Sequence, residues 1–318
     1  MKAIVYTKFG PPDVLQLVEV EKPVPKENEL LIKIRAVSLN AFDWRHLRAD
    51  PFFIRFMGAG LLKPKHNILG ADIAGRVEAA GANVKQFHPG DEVFGEVSYG
   101  GLAEFVCVNE NRFVHKPVNV TFEEAAAVAM AGLTALQSLR DHGNLQAGQK
   151  VLINGASGGV GTFAVQIAKS FGAEVTGVCR TSKMDLVRSI DADHVVDYTQ
   201  EDVTTNGKQY DLIFDTAAYR SIRDYKRIMS PGGKYVAAGG STARMVQLML
   251  LPMMGIKNME IMGARIDQKD LSYLGELLSA GKIRSIIDKR FPLSKSAEAM
   301  RYLEDGHVRG KVVVTVGE

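Results

Sequence analysis

Residues 151–169 read VLINGASGGVGTFAVQIAK: a short apolar strand, a glycine-rich turn, then a run with helical spacing of apolar residues. Set against the spacing G-x-G-x-x-G, the turn offers Ala156, Gly158 and Gly161, with alanine at the first position. Gly155 and Gly159 add conformational freedom, and Ser157 and Val160 complete the loop. With no Cβ at Gly158, backbone can come close to a pyrophosphate, and a helix over 159–171 points its positive end there. A plain tight turn fits the same glycines, so the surroundings have to decide.

Working outward from the turn, strand and helix alternate. KVLIN is followed by AEVTGVC, HVVDY, YDLIFDTA, KYVAAGG and NMEIMGA as strands. GTFAVQIAKSF, SKMDLVRSI and a stretch near 219–229 read as helices between them. Nearly continuous apolar strands separated by helices indicate a parallel sheet covered on both faces. Six strands over about 115 residues fit a doubly wound nucleotide-binding fold. In that setting the glycine turn reads as a phosphate site.

Upstream, residues 1–117 are β-rich, with AIVYT, LLIKIRAV, AGRVEAAG, DEVFGEV and AEFVCV divided by Gly, Pro, Asn and Asp. Thr121 opens a helix, with Glu124 placed for a capping box. Downstream, DLSYLGELLSAG and SKSAEAMRYLEDG are amphipathic helices before a last strand, GKVVVTV. The expected organisation is α/β: a β-barrel domain over 1–120, a doubly wound domain over 121–265, and a return to the first domain over 266–318.

The second strand of the unit bears on cofactor choice. An NAD site usually carries Asp or Glu there for the ribose 2′-hydroxyl. This chain has Cys179-Arg180-Thr181-Ser182-Lys183, with no carboxylate before Asp185. Cations and hydroxyls at that edge suit a 2′-phosphate, so NADP(H) is expected over NAD(H). The plainer reading leaves Arg180 and Lys183 as solvated surface charges.

Composition narrows the classes. A formal charge of +3 over 318 residues gives no basic stripe for nucleic acid. Cys107 and Cys179, the two cysteines, form neither a disulfide framework nor a Cys-x-x-Cys metal spacing. The start MKAIVYTKFGPPDVL lacks an apolar signal region, and the longest apolar run, VQLMLLPMMGI at 246–256, is too short to span a bilayer. A soluble, cytoplasmic protein with no membrane span is expected.

Taken together, GQKVLINGASGGVGTFAVQIAK, AGLTALQSL, LGADIAGRVEAAGANVKQFHPGDEVFG and GKVVVTV resemble the quinone oxidoreductase (zeta-crystallin) branch of the medium-chain dehydrogenase/reductase superfamily over almost the whole chain. Asn40-Ala41-Phe42-Asp43-Trp44 resembles the NPxDW-like motif of the chloroplast-envelope type. The resemblance implies a GroES-like barrel, an inserted Rossmann domain, a cleft between them, and commonly a homodimer. It implies that Ser182, Lys183 and Tyr198 hold the NADPH 2′-phosphate and that Thr134 lies near the nicotinamide. Asn40 falls where the barrel reaches the nicotinamide ribose or substrate, and Gly239 and Gly240 on a loop beside the ring. Zinc-dependent relatives carry a cysteine within the segment matching SLNAFDWRHL, Gly-His-Glu where this chain has Gly70-Ala71-Asp72, and a four-cysteine lobe. All three are missing, and the seven histidines are scattered, so no metal is expected.

Without zinc to polarise an alcohol or carbonyl, acceptors already activated remain: quinones and α,β-unsaturated carbonyls. The developing enolate then needs hydrogen-bond donors, for which Asn40 and Thr134 are candidates. Asp43 is a catalytic candidate or, equally, a brace of its own loop. PFFIRFMGAGLL at 51–62 is either a pocket wall or core, and the six methionines within 243–262 read first as packing. Two rival functions stay open: an enoyl-thioester reductase, and an NADPH-binding structural or regulatory protein with little turnover.

Overall fold

From Lys2 to His115 the chain is mostly strand: β1 (Lys2–Val5), β2 (Gln16–Glu19), β3 (Glu29–Leu39), β4 (Asp72–Ala80), β5 (Glu92–Glu96), β6 (Phe105–Asn109) and β7 (Phe113–His115), with helix α1 (Ala41–Arg48) after β3. The computed structural model describes residues 1–56 and 59–317. Helix α2 (Phe122–Gln137) leads into β8 (Lys150–Asn154), α3 (Gly159–Ser170), β9 (Glu174–Cys179), α4 (Met184–Ser189), β10 (His194–Asp197) and β11 (Tyr210–Asp215). Then come α5 (Ile222–Arg227), β12 (Met229–Ala237), α6 (Thr242–Leu250) and β13 (Met259–Ile261). The chain ends in α7 (Gln268–Ser279), β14 (Ile287–Pro292), α8 (Ser296–Glu304) and β15 (Lys311–Thr315).

Two units emerge, Met1–Met130 with Ile266–Glu318, and Ala131–Arg265. The first is GroES-like. Its main sheet runs β14-β15-β3-β4-β5-β7, with β6 also pairing β3. Long β3, ELLIKIRAVSL, is buried along most of its length because it is central, antiparallel to β4, β6 and β15. The strands enclose an apolar core that includes Tyr6, Leu30, Ile32, Ile34, Ile73 and Val312. Helix α2 starts as its sequence requires: Thr121 N donates to Glu124 Oε2 at 2.9 Å, and Glu124 N to Thr121 Oγ1 at 3.2 Å.

The second unit is Rossmann-type, a six-stranded sheet ordered β10-β9-β8-β11-β12-β13, parallel throughout. That order reverses between β8 and β11, so a crevice opens at the C-terminal ends of those strands. Val151, Leu152 and Ile153 of β8 are fully buried, as a strand with helices over both faces demands. Pro252 stands two residues past the end of α6, as its missing N–H requires. In the methionine-rich segment Met259 and Met262 are buried with Leu248 and Leu251, whereas Val246, Met249, Leu250 and Met253 are exposed. The Met254 side chain lies outside the described residues. Core packing therefore accounts for part of that segment only.

Candidate functional site

At the C-terminal end of β8 the chain turns on Gly155, whose φ of +82° places it in the left-handed region. Gly155 thus takes the tight-turn task that the sequence spacing had given to position 156. Gly161, in the first turn of α3, sits so close that a Cβ would lie 2.1 Å from Gly155 O and 2.8 Å from Ala156 Cα. Gly158 is the N-cap of α3, and a Cβ there would meet only Gly155 O, at 3.4 Å. The protein therefore leaves room at Gly158 that its own packing does not need. Ala156 and Ser157 are buried in the turn, while Gly159 and Val160 begin the helix with their N–H groups unused by it. Such a helix start accepts an anion.

Next to this loop, β9 ends at Cys179 and the chain makes a tight turn over Thr181–Lys183 before α4. Arg180 and Ser182 are exposed there and Lys183 is half-buried. Tyr198 follows β10, the neighbouring strand, with its ring 6.0 Å from that of Tyr219. One carboxylate missed by sequence reading stands beside them: Asp197, paired in register with Cys179. It accepts hydrogen bonds from the Thr181 hydroxyl and from Thr199 N (3.0 Å) and Oγ1 (2.7 Å). Those bonds hold it below the usual carboxylate range and pin Thr181 in the basic turn.

A second missed group lies under the crevice. Buried Asp215, at the end of β11, accepts from Asn154 Nδ2 (2.8 Å), Tyr235 Oη (2.8 Å) and the backbone N–H groups of Ala217 and Ala218. Burial, then the Asp215 charge, pushes the Tyr225 and Tyr235 hydroxyls well above the usual phenol range, so both stay neutral donors. The only sequence signal was an Asp closing an apolar strand. Gly239 and Gly240 follow β12; Gly240 has φ +127° and leaves no room for a Cβ against Ala218. Thr134 belongs to this unit too, buried in α2.

In the first unit, Asn40 caps α1. Asn40 N donates to Asp43 Oδ2 at 2.8 Å, and Gly70 N donates to Asp43 Oδ1 at 2.9 Å. Asp43 is fully buried and braces two backbone segments, which is the structural reading of that residue. Burial pushes it up to about 6, against the Asn40 and Gly70 N–H groups and the Lys311 charge. The Asn40 carboxamide, 9% exposed, donates from Nδ2 to Asp72 Oδ2 (2.9 Å) and Ser38 O (3.2 Å). Its oxygen accepts from Lys311 Nζ. Asn40 therefore has no amide hydrogen left for an oxyanion.

Asp72 and Lys311 are the residues that sequence reading missed here. They come from the start of β4 and the start of β15, which flank the end of β3. Asp72 also accepts from Met130 N at 3.1 Å, and Lys311 donates to Leu39 O at 3.2 Å. Burial pushes Asp72 up to about 8, opposed most by Lys311, and pushes Lys311 down, opposed most by Asp72. Glu96, opposite Asp72 across β4 and β5, is raised by burial to about 7, with Arg112 opposing.

The donor set does not fit zinc. Among the described residues there is no group of three or more His, Cys, Asp or Glu side chains that could hold a metal. Ala71 offers a methyl group, and Asp72 is already engaged by a lysine, an amide and a backbone N–H. His46 and His66 pack on Tyr99, with ring centroids 5.6 and 4.2 Å away. In 51–62, Phe52, Phe53 and Phe56 are exposed; residues 57 and 58 of that stretch lie outside the described residues. No helix among the described residues is long and apolar enough to cross a membrane.

Comparison with known proteins agrees with this geometry. Residues 26–118 match the alcohol dehydrogenase GroES-like domain, and residues 190–314 the family described as zinc-binding dehydrogenase. The chain is 36% identical to a chloroplastic quinone oxidoreductase of Triphysaria versicolor, covering 99% of this chain and 98% of that protein. It is 33% identical to a chloroplastic NADPH-dependent alkenal/one oxidoreductase of Arabidopsis thaliana, covering 99% and 79%. The structure of a quinone oxidoreductase from Coxiella burnetii superposes with a TM-score of 0.89 at 30% identity, covering 100% of this chain and 99% of that one.

Proposed function

The chain belongs to the quinone-oxidoreductase-like members of the medium-chain dehydrogenase/reductase superfamily, NAD(P)(H)-dependent oxidoreductases of small molecules, and from that premise we propose that it is a zinc-free, NADPH-dependent reductase of quinones and α,β-unsaturated carbonyls. The observation that carries the proposal is the loop at the strand-order reversal. Gly158 leaves space at a helix start while Arg180, Ser182 and Lys183 stand at the adjoining strand end. Together they match a pyrophosphate followed by a 2′-phosphate.

NADPH, when bound, supplies a hydride to the acceptor. The loop of Ala156, Ser157, Gly158, Gly159, Val160 and Gly161 would hold the pyrophosphate; Arg180, Ser182, Lys183 and Tyr198 would hold the 2′-phosphate; Gly239 and Gly240 would bound the nicotinamide end. Thr134 is proposed as the hydroxyl donor at the reacting carbonyl. Asn40, its carboxamide engaged by Ser38, Asp72 and Lys311, is proposed as a residue that holds its own loop in place rather than as a donor to the acceptor. A donor set that does not fit zinc favours acceptors activated by their own conjugation. The names of the two plant relatives point to the same acceptor classes. A homodimer in the cytoplasm remains part of the proposal.

The test is oxidation of NADPH and NADH by chelator-treated protein with a simple quinone, an aliphatic enone and a saturated aldehyde. Turnover of NADPH with quinone or enone only is the expected result. Tight NADPH binding without turnover on any acceptor would instead favour a binding protein.

A further inference from the structure

A carboxylate on the next strand anchors the basic turn after β9. Asp197, the last residue of β10, is 5% exposed and lies in register with Cys179, the last residue of β9. Its Oδ2 accepts from the Thr181 hydroxyl, and its Oδ1 from Thr199 N at 3.0 Å and Thr199 Oγ1 at 2.7 Å. The two hydroxyl oxygens are 3.2 Å apart, so both threonines close round one carboxylate. The main chain adds a second tie: Tyr198 N donates to Cys179 O at 3.2 Å, and Lys183 N to Arg180 O at 2.9 Å.

An ionised acid beside a phosphate site opposes binding by its charge, so its presence there needs a reason. Its bonds supply one. Hydroxyls bond a carboxylate roughly twice as strongly as they bond a neutral acceptor, and the Thr181 hydroxyl does most to hold Asp197 below the usual carboxylate range. We infer that Asp197 is a positioning residue for cofactor choice, gripping the Thr181 hydroxyl so that the Arg180–Lys183 turn keeps the form in which it takes a 2′-phosphate. The inference rests on the reading of that turn as the 2′-phosphate site. Thr181 stands between Arg180 and Ser182, both exposed, so tying its hydroxyl to β10 fixes the backbone from which both neighbours project. Releasing that hydroxyl has two effects of the same sign. The turn gains freedom that binding must remove again, and the carboxylate loses a bond that masks its charge from the phosphate. A cofactor without that phosphate meets little of either. Asp197 thus acts on the choice between cofactors through Thr181 rather than by contact.

The experiment uses the full chain with Thr181→Val, which removes the hydroxyl and keeps the shape, made on the wild-type background and on Asp197→Ala. Asp197→Asn is the conservative variant that can still bond both threonines. The first readout, on cofactor-free protein, is hydrogen exchange of the Lys183 backbone amide by ¹H–¹⁵N NMR. We expect Thr181→Val and Asp197→Ala to speed it about tenfold or more, and Asp197→Asn less than about threefold. The second readout is calorimetric titration with NADPH and NADH. Thr181→Val should raise the NADPH dissociation constant about tenfold on the wild-type background and less than about twofold on Asp197→Ala, as coupled residues require. The NADH constant should stay within about twofold throughout. Equal losses for the two cofactors, equal NADPH losses in the two backgrounds, or unchanged exchange overturns the inference, since a merely structural carboxylate would cost both cofactors alike. A wild-type protein that binds NADH as tightly as NADPH overturns the 2′-phosphate reading, and with it the cofactor role, while exchange still decides whether the grip exists.

Discussion

Two glycines three residues apart in one loop should fail in opposite ways when each gains a methyl group. In Gly161→Ala the new Cβ falls 2.1 Å from Gly155 O and 2.8 Å from two backbone carbons, none of which can rotate aside. That is about 1 Å or more inside ordinary contact, and overpacking of this kind costs about 1–3 kcal/mol. Better helix propensity returns at most about 1 kcal/mol. The net loss is on the order of 2 kcal/mol, a melting temperature lower by roughly 5 °C. In Gly158→Ala the Cβ meets one atom at 3.4 Å, and φ −85°, ψ 178° suits any residue. Exchanging glycine for alanine at the N-cap costs up to about 1 kcal/mol, so the fold should survive. The methyl would instead stand where a phosphate must approach, and losing one charge-assisted backbone bond, about 1.5–3 kcal/mol, weakens NADPH about tenfold to a hundredfold. Thermal unfolding and calorimetric titration with NADPH separate the two. Wild-type affinity in Gly158→Ala would refute the cradle, and a wild-type melting temperature in Gly161→Ala would refute the packing argument.

Lys183→Glu should weaken NADPH far more than NADH in the same titration; equal losses would remove the 2′-phosphate assignment. Thr134→Val should lower kcat while NADPH affinity stays within about twofold, and an unchanged kcat would take Thr134 out of the chemistry. For pH, Glu96 sits at about 7 in the folded chain, above its unfolded value, with Arg112, Asp43 and Asp72 as its charged neighbours. A raised carboxylate contributes stability that is present below about pH 4 and lost as pH rises through its folded value. Glu96→Gln should therefore gain on wild type between about pH 5 and 8 in thermal melts, and parallel curves would contradict the burial argument. Dialysis against a chelator should leave turnover unchanged; a loss restored by zinc would overturn the zinc-free reading.

The parallel sheet was legible because VLIN, EVTGV and DLIF are largely apolar and alternate with helical stretches, the pattern of strands covered on both faces. The loop was legible as a site, but the division of labour inside it was not. Ala156 invites alignment with the first glycine of the spacing, whereas the backbone turns one residue earlier, at Gly155. Asp72, Asp197, Asp215 and Lys311 escaped for a shared reason. Each is an ordinary charged residue at a strand end, and only sheet order reveals that strand ends far apart in sequence are neighbours. Asn40 was singled out, yet its amide was expected to donate outward; the carboxylate and ammonium that use it up lie 32 and 271 residues away.

The pairing of β15 with β3 also sets a timetable for synthesis. A ribosome adds about 5–20 residues per second, so one edge of β3 waits some tens of seconds for its last partner. During that wait β3 presents open N–H and C=O groups to any passing strand. Asp43 and Asp72 meanwhile sit together without the ammonium that offsets their burial. Arrival of Lys311 closes the edge and balances the charge in one event, across 271 residues. Without that last strand Asp43 and Asp72 lack the lysine that offsets their burial, so the barrel unit depends for its stability on the end of the chain.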